Sequence, residues 1–271
     1  MPAPAMSGEI RTVVILKTDK IYAAWLGRTV RSVLPGADIQ IGTPLAEVRQ
    51  PDVNRAAIDL LITGLVLGEG DLLDVLEPGL REGRFQRVLI VSGRHEPRTL
   101  LGLRSLPIGG FFDSAHEEPE RLAHALRVVM SGGVYWSASV LERLRPQSGA
   151  FHAICRMLTP VEQVVFATLG DGSDDETAAG QLGLKSSSVQ SIRRSLHDKL
   201  GVRHKGELVR LAAQFGFVRF TPSGVVRPGF AMLFAAFQAR RRNNRGSVKA
   251  SPSGVIREAH THLIEKPKTA P

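Results

Sequence analysis

Residues 58–63 have the sequence Ile-Asp-Leu-Leu-Ile-Thr and are followed by Gly64. A short run rich in apolar and β-branched residues, closed by a glycine, predicts a strand that is buried on both faces of a sheet. Similar short runs at residues 13–16, 38–41, 87–92 and 108–112 predict four more strands on either side of it.

Helical patterns separate these strands. Apolar residues recur at three- and four-residue spacing over residues 21–34, 71–79, 98–105 and 119–130, and a weaker pattern at 44–57 is interrupted by Pro51. Strands that alternate with helices indicate a parallel sheet covered on both faces. We therefore expect an α/β domain over residues 9–132, a flavodoxin-like doubly wound sheet with five strands and five helices.

The rest of the chain has a different character. Residues 133–157 are expected to form a linker with a helix, and residues 158–214 show only helical patterns. Residues 215–239 suggest short extended pieces and an apolar helix, and residues 240–271 suggest a basic, disordered tail. Residues 1–150 hold 17 basic and 17 acidic side chains, so the net charge of +9 falls entirely on the second half. This asymmetry favours a polyanion partner for that half.

The helical segment at 158–214 begins and ends with clear signals. Thr159, Pro160 and Glu162 form a capping-box pattern at its first helix. Gly183 marks a turn before a third, basic helix, which Gly201 ends. Two short helices, a glycine turn and a basic third helix are typical of a helix-turn-helix.

Several short motifs carry a more specific resemblance: Leu-Thr-Pro-Val-Glu at 158–162, Glu-Thr-Ala at 176–178, Leu-Gly-Leu at 182–184, Ser-Val at 188–189 and Lys-Leu-Gly-Val at 199–202. Residues 158–213 resemble the DNA-binding domain of the LuxR/NarL/FixJ family of transcription regulators.

The resemblance implies a recognition helix that enters double-stranded DNA, and a fourth helix that forms a homodimer. On this chain the implied DNA contacts are Ser188, Gln190, Ser191, Arg193, Arg194 and Lys199, with Arg193 and Lys199 directed to phosphates. The implied dimerisation residues are Leu208, Leu211 and Ala212.

The same helix also has an ordinary structural face. Val189, Ile192 and Leu196 recur at helical spacing and are expected in the core. Gln190 and Ile192 replace the lysine and histidine that are usual in the family. Asp174 and Asp175 stand where the family has a polar and then a basic residue, which leaves the target sequence and phosphate contacts open.

The first half resembles the receiver domain of a response regulator, since residues 132–137, Gly-Gly-Val-Tyr-Trp-Ser, follow the last helix as in that family. Receiver chemistry uses an aspartate after the third strand, two acids after the first, a hydroxyl after the fourth and a lysine after the fifth. This chain has Gly64 at the aspartate position and Lys17 and Thr18 at the acidic pair. Ser92 keeps the hydroxyl, and the lysine position falls near residues 114–115, where there is none. We therefore expect a degenerate site without aspartyl phosphorylation.

The expected function is DNA-binding transcription regulation by a dimer, not an enzyme and without a cofactor. The domain at 9–132 then serves as a dimerisation platform, or it binds a partner protein such as RNA polymerase, or a small ligand. His95, His116 and His124 show no spacing with carboxylates that predicts a metal site. No apolar run is long enough to span a membrane and the N-terminus lacks a secretory pattern, so a cytoplasmic location with no membrane contact is expected.

Overall fold

The computed structural model describes residues 10–42, 57–67, 70–145, 150–222 and 224–248. The weak helical pattern at 44–57 lies outside these ranges apart from its last residue, and so do residues 249–271. The strands in the described ranges are β1 (Thr12–Leu16), β2 (Asp38–Ile41), β3 (Ile58–Thr63), β4 (Val66–Leu67), β5 (Gly70–Asp71), β6 (Phe85–Ser92), β7 (Gly110–Asp113), β8 (Tyr135–Trp136), β9 (Arg219–Thr221) and β10 (Gly224–Val226).

Helices make up most of the remaining described chain. They are α1 (Lys20–Val33), α2 (Leu73–Arg81), α3 (Pro97–Arg104), α4 (Arg121–Met130), α5 (Ala138–Arg143), α6 (Ala150–Met157), α7 (Pro160–Leu169), α8 (Asp175–Leu182), α9 (Ser186–Leu200), α10 (Lys205–Gln214) and α11 (Phe230–Val248).

The first domain is built on one parallel sheet with the strand order β2-β1-β3-β6-β7-β8. Strand β1 pairs with β2 on one side and β3 on the other, so the chain order reverses beside β1. This is the doubly wound, flavodoxin-like arrangement, and the fold prediction is confirmed. β4 and β5 form a separate small antiparallel pair that precedes α2.

The sheet has one strand more than the sequence predicts. Tyr135 and Trp136 pair in parallel with Gly110 and Phe111, so the segment expected to begin a linker at residue 133 first completes the sheet. Gly110 has a φ of +145°, and a Cβ there would lie 1.7 Å from the carbonyl oxygen of Tyr135. The close approach of this sixth strand therefore requires glycine at residue 110.

Helices cover both faces of the sheet with separate apolar cores. One face packs against α2 and α3, whose buried residues include Leu73, Leu76, Leu100 and Leu103. The other face packs against α1 and α4 through residues such as Leu26, Val30, Leu122 and Leu126. Because both faces are buried, the central strands read as nearly continuous apolar runs, which is why the sequence locates them correctly.

The second domain is a set of helices, α7 to α10, around its own core. Thr159 caps α7 and forms the predicted capping box with Glu162. Gly183 and Gly201 end α8 and α9 in the left-handed region, with φ of +61° and +65°. Asp174 caps α8 by accepting a hydrogen bond from the amide of Thr177 at 2.7 Å.

The segment after α10 forms an antiparallel pair, β9 and β10, and then the long helix α11. The prediction of a disordered tail from residue 240 is wrong over residues 240–248, which continue α11. Alanine and arginine have high helix propensity, so the apolar helix is not interrupted where the basic residues begin. Arg241 also anchors this part of the helix by donating hydrogen bonds to the carbonyls of Leu182 and Gly183, at 3.5 and 3.2 Å.

This C-terminal segment, residues 215–248, contacts both domains. Arg219 forms a two-point ion pair with Glu96 in the first domain, and its Nε lies 2.7 Å from Glu96 Oε1. The amide of Gly229 donates to Asp71 Oδ2 at 2.7 Å. Leu101 of α3 packs against the core of each domain, which joins the two cores across the boundary.

Candidate nucleic-acid interface and the receiver-like site

Helix α9 presents a polar face to solvent and an apolar face to the core. Val189 and Leu196 are fully buried and Ile192 is half-buried, which confirms the predicted core face. The exposed residues among the predicted DNA contacts are Ser188, Gln190, Ser191 and Arg194. A hydroxyl, an amide and a guanidinium on one exposed helical surface supply donors and acceptors of the kind that pair with base edges.

Arg193 and Lys199 each form an ion pair within their own domain. Arg193 Nη2 lies 2.9 Å from Asp175 Oδ2, and this ion pair joins α9 to the start of α8. Lys199 Nζ lies 2.8 Å from Glu162 Oε2 and donates to the carbonyl of Met157 at 3.3 Å. Both cations therefore contact groups of their own domain in this structure, and their assignment to DNA phosphates stays a prediction.

Glu162 connects the capping box to α9. Its carboxylate accepts from the amide and hydroxyl of Thr159, at 2.7 and 2.9 Å, and from Ser195 Oγ at 2.7 Å. Burial alone would raise the pKa of Glu162, but the donors Lys199, Ser195 and Thr159 outweigh burial and lower the pKa to about 2. The cap of α7 therefore also fixes α9 against the core.

Helix α10 does not present the predicted dimer residues on its surface. Leu208 and Ala212 are buried in the core of their own domain, and Leu211 is half-buried against the same core. An apolar stripe on one helix face packs inward first, so the sequence pattern marked the core side of α10. The residues of α10 that face solvent include Lys205, Arg210, Ala213 and Gln214.

Gly64 directly follows β3, as the sequence predicts, and Lys17 directly follows β1. The Lys17 side chain lies over Gly64, such that a Cβ on residue 64 would be 3.2 Å from Lys17 Nζ. The ammonium also lies 4.5 Å from the centre of the Tyr22 ring. Burial lowers the pKa of Lys17 to about 8, against a smaller raising effect of Asp19. A lysine therefore fills the space into which a side chain at residue 64 would project.

Side chains at and beside the other receiver-like positions form local hydrogen bonds. Thr18 is exposed, and Asp19 caps α1 by accepting from the amides of Ile21 and Tyr22, at 2.9 and 3.0 Å. Ser92 is buried, and its hydroxyl accepts from the amide of Arg94 at 3.1 Å. Of the described acids, Asp19 is near Lys17, but its carboxylate is used as a helix cap.

A cluster at the carboxyl ends of β6 and β7 was missed by the sequence analysis. Asp113 ends β7, and its Oδ2 lies 2.9 Å from both His95 Nε2 and His116 Nδ1. Ser139 donates to the same oxygen, and the amide of Ala115 donates to Oδ1 at 3.0 Å. The expectation that His95 and His116 have no carboxylate at metal spacing is therefore wrong. These residues come together because they follow the ends of neighbouring strands, and their spacing along the chain does not show this.

The electrostatics of this cluster follow from burial and hydrogen bonding. Burial lowers the pKa of His95, with Asp113 acting in the opposite direction. Burial alone would raise the pKa of Asp113, but Ser139, the Ala115 amide and the two histidines outweigh it and lower the pKa. The cluster thus holds an ionised carboxylate between two imidazoles. His124 is not part of it, since its ring instead meets the edge of Tyr135.

None of the helices in the described ranges is both long and apolar enough to cross a bilayer. No family model matches the chain.

Relatives with known roles are transcriptional regulators. The chain is 28% identical to the transcriptional regulatory protein MctR of Rhizobium johnstonii, over 54% of this chain and 67% of the relative. It is 29% identical to the transcriptional activator protein ExaE of Pseudomonas putida, over 66% of this chain and 87% of the relative.

The solved structures agree with the fold. RcsB from Salmonella enterica serovar Typhimurium, bound to a promoter in the presence of the phosphomimetic BeF3-, superimposes with a TM-score of 0.51 and 18% identity, covering 76% of this chain and 99% of RcsB. The likeness to RcsB shows the fold, a parallel sheet followed by a helical domain, and the relatives are named as transcriptional regulators.

Proposed function

We propose that this chain is a DNA-binding transcription regulator of the response-regulator type, which acts as a dimer and independently of aspartyl phosphorylation. The observation that carries the proposal is the exposed polar face of α9, where Gln190, Ser191 and Arg194 stand free of the domain core. The relatives support it, because MctR and ExaE are named as a transcriptional regulatory protein and a transcriptional activator.

Within this proposal, some residues of α9 fix the position of the helix and others contact the DNA bases. Arg193 and Lys199 hold α9 to Asp175 and Glu162, so the orientation of the helix is fixed before DNA arrives. Arg194 is the exposed cation on the same helix and reaches guanine with a planar pair of donors. Gln190 has the geometry to pair with adenine.

The experiment first selects tight-binding fragments from a random DNA library with the full chain. Affinities of the wild type and of Arg194→Ala are then measured by fluorescence anisotropy at fixed salt. Loss of a bidentate contact costs about 1–3 kcal/mol, so we expect roughly ten- to a hundredfold weaker binding to the selected site. Arg28→Ala, which removes the same charge from an exposed position of α1, is the matched control and should bind like the wild type. Equal affinity of Arg194→Ala and Arg28→Ala would contradict the proposal.

Dimer formation is tested through the exposed face of α10. Ala213 is small and exposed there, so Ala213→Arg should place bulk and charge in a contact between two copies. Sedimentation of the wild type with and without the selected DNA should show a dimer, which this variant weakens. Ala24→Arg, at an exposed position of α1, is the control. A monomer on DNA, or a dimer weakened by the α1 variant alone, would count against dimerisation through α10.

Independence from aspartyl phosphorylation rests on the Gly64 position. Glycine has no group to accept a phosphoryl, and the Lys17 ammonium lies where Mg²⁺ would need anionic ligands. Incubation of the full chain with Mg²⁺ and acetyl phosphate should leave the intact mass unchanged and the DNA affinity unaltered. A mass gain of one phosphoryl group that hydroxylamine removes, accompanied by altered DNA binding, would overturn this part of the proposal.

A further inference from the structure

We propose that His95, Asp113 and His116 form a binding site for a divalent transition-metal ion of the class represented by Zn²⁺. One ligand atom from each residue lies within 4.8 Å of the other two. Two imidazole nitrogens with one carboxylate oxygen suit such an ion better than Mg²⁺ or Ca²⁺, which prefer oxygen ligands alone. The site is distinct from Gly64 and Lys17, and it does not depend on the proposed DNA binding.

The distances fit metal ligation after a small adjustment. Asp113 Oδ2 is 2.9 Å from each histidine nitrogen. Ligands around a tetrahedral zinc, with bonds of about 2.0–2.1 Å, are separated by about 3.3 Å. An ion therefore needs each histidine nitrogen to move a few tenths of an ångström away from Asp113 Oδ2. The His116 side chain is 53% exposed, so it is free to make this movement.

His95 provides a second, independent observation. Its Nε2 is buried and lies 2.9 Å from Asp113 Oδ2, so this nitrogen is aimed into the cluster and not at solvent. A metal ion bound by the lone pair of Nε2 gives the buried ring a structural role.

The surroundings hold the ligands in place and leave a route for the ion. Ser139 and the Ala115 amide fix the two oxygens of Asp113, which is the outer support that metal-binding carboxylates require. The Asp113 and His95 side chains are 0% and 7% exposed, so an ion enters from the side of His116. Water completes the coordination from that open side.

The test measures metal binding by the untagged full chain after chelator treatment. Zn²⁺ is titrated by calorimetry, and Co²⁺ is titrated by the visible absorption that distinguishes tetrahedral from octahedral coordination. The wild type should bind one ion at this site with a low-symmetry Co²⁺ spectrum. His116→Ala removes an exposed ligand, and Asp113→Asn keeps the shape of the buried ligand without its charge. Each should weaken binding by at least about tenfold.

His124→Ala is the matched control, because His124 is exposed on α4 of the same domain and lies outside the cluster. It should bind the ion like the wild type. Far-ultraviolet circular dichroism checks that each variant is folded, and His116→Ala keeps the test decisive if Asp113→Asn does not fold. The proposal is overturned if the wild type binds neither ion, or if His116→Ala binds as tightly as His124→Ala.

Discussion

Replacement of Glu162 by glutamine tests whether the capping box of α7 also stabilises α9. The carboxylate has an ordinary pKa of 4.5, which its surroundings lower to about 2. A group whose pKa is lower in the folded state stabilises the fold when ionised. That stabilisation is complete above pH 4.5 and is lost as the pH falls towards 2. The difference corresponds to about 3 kcal/mol.

Glu162→Gln keeps the size of the side chain but removes the charge. We expect the free energy of unfolding of the helical domain to fall by about 3 kcal/mol at pH 7, and the loss of stability below pH 4.5 to become smaller. Lys199→Met should cost less, about 1 kcal/mol, because its side chain is 33% exposed and solvent screens the pair. The double variant should lose less than the sum of the two changes, by about 1 kcal/mol.

The aromatic residues of the chain allow the two domains to be followed separately. Trp25 and Trp136, the two tryptophans of the sequence, lie in the sheet domain, so fluorescence reports that domain alone. Circular dichroism reports the helices of both. Urea unfolding of Glu162→Gln should therefore shift the dichroism transition more than the fluorescence transition. Glu176→Gln, which removes an exposed charge from α8, should change stability by less than about 0.5 kcal/mol. If Glu162→Gln behaves like this control, Glu162 has no special role.

Three further changes probe other contacts. Burial raises the pKa of Asp71 from 3.8 to about 6, so ionisation of Asp71 should reduce the free energy of unfolding by about 3 kcal/mol as the pH rises through this interval. Asp71→Asn should abolish this pH dependence in urea unfolding, and a variant that retains it would refute the prediction. Arg219→Met leaves Glu96 without its ion-pair partner, so amide hydrogen exchange over residues 217–226 should accelerate at least about tenfold. Unchanged exchange would argue against the Arg219–Glu96 contact in solution. Gly64→Asp places a carboxylate beside Lys17 and should raise the pKa of the Lys17 ammonium above about 8, measured by side-chain NMR titration. An unaltered pKa would mean that the carboxylate and the ammonium are not in contact.

The sequence predicts those parts of the structure that depend on local pattern. The five strands expected from the sequence, the capping box at Thr159 and Glu162, and the left-handed ends of α8 and α9 all follow from residues close together in the chain. Each of these signals is a matter of alternation, capping or glycine conformation. Gly64 likewise follows the end of β3, as the strand prediction requires.

The missed features arise from contacts between distant residues. Strand β8 has two residues, which is too short for a periodic pattern, and the partner strand stabilises it. His95 and Asp113 are brought together by the pairing of β6 with β7. The partners of Arg193 and Lys199 lie on other helices, 18 and 37 residues away, so propensity along α9 could not show that these cations were already paired.

The contacts of Arg219 and Gly229 give the helix-turn-helix a second attachment to the sheet domain, after its last helix as well as before its first. A domain attached at one point can rotate relative to its neighbour, whereas a domain attached at two points has lost most of that rotation. In this arrangement the orientation of α9 relative to the sheet domain is constrained within the free protein. A chain ending at Gln214 would regain the rotation, and α9 would sample a wider range of orientations relative to the sheet.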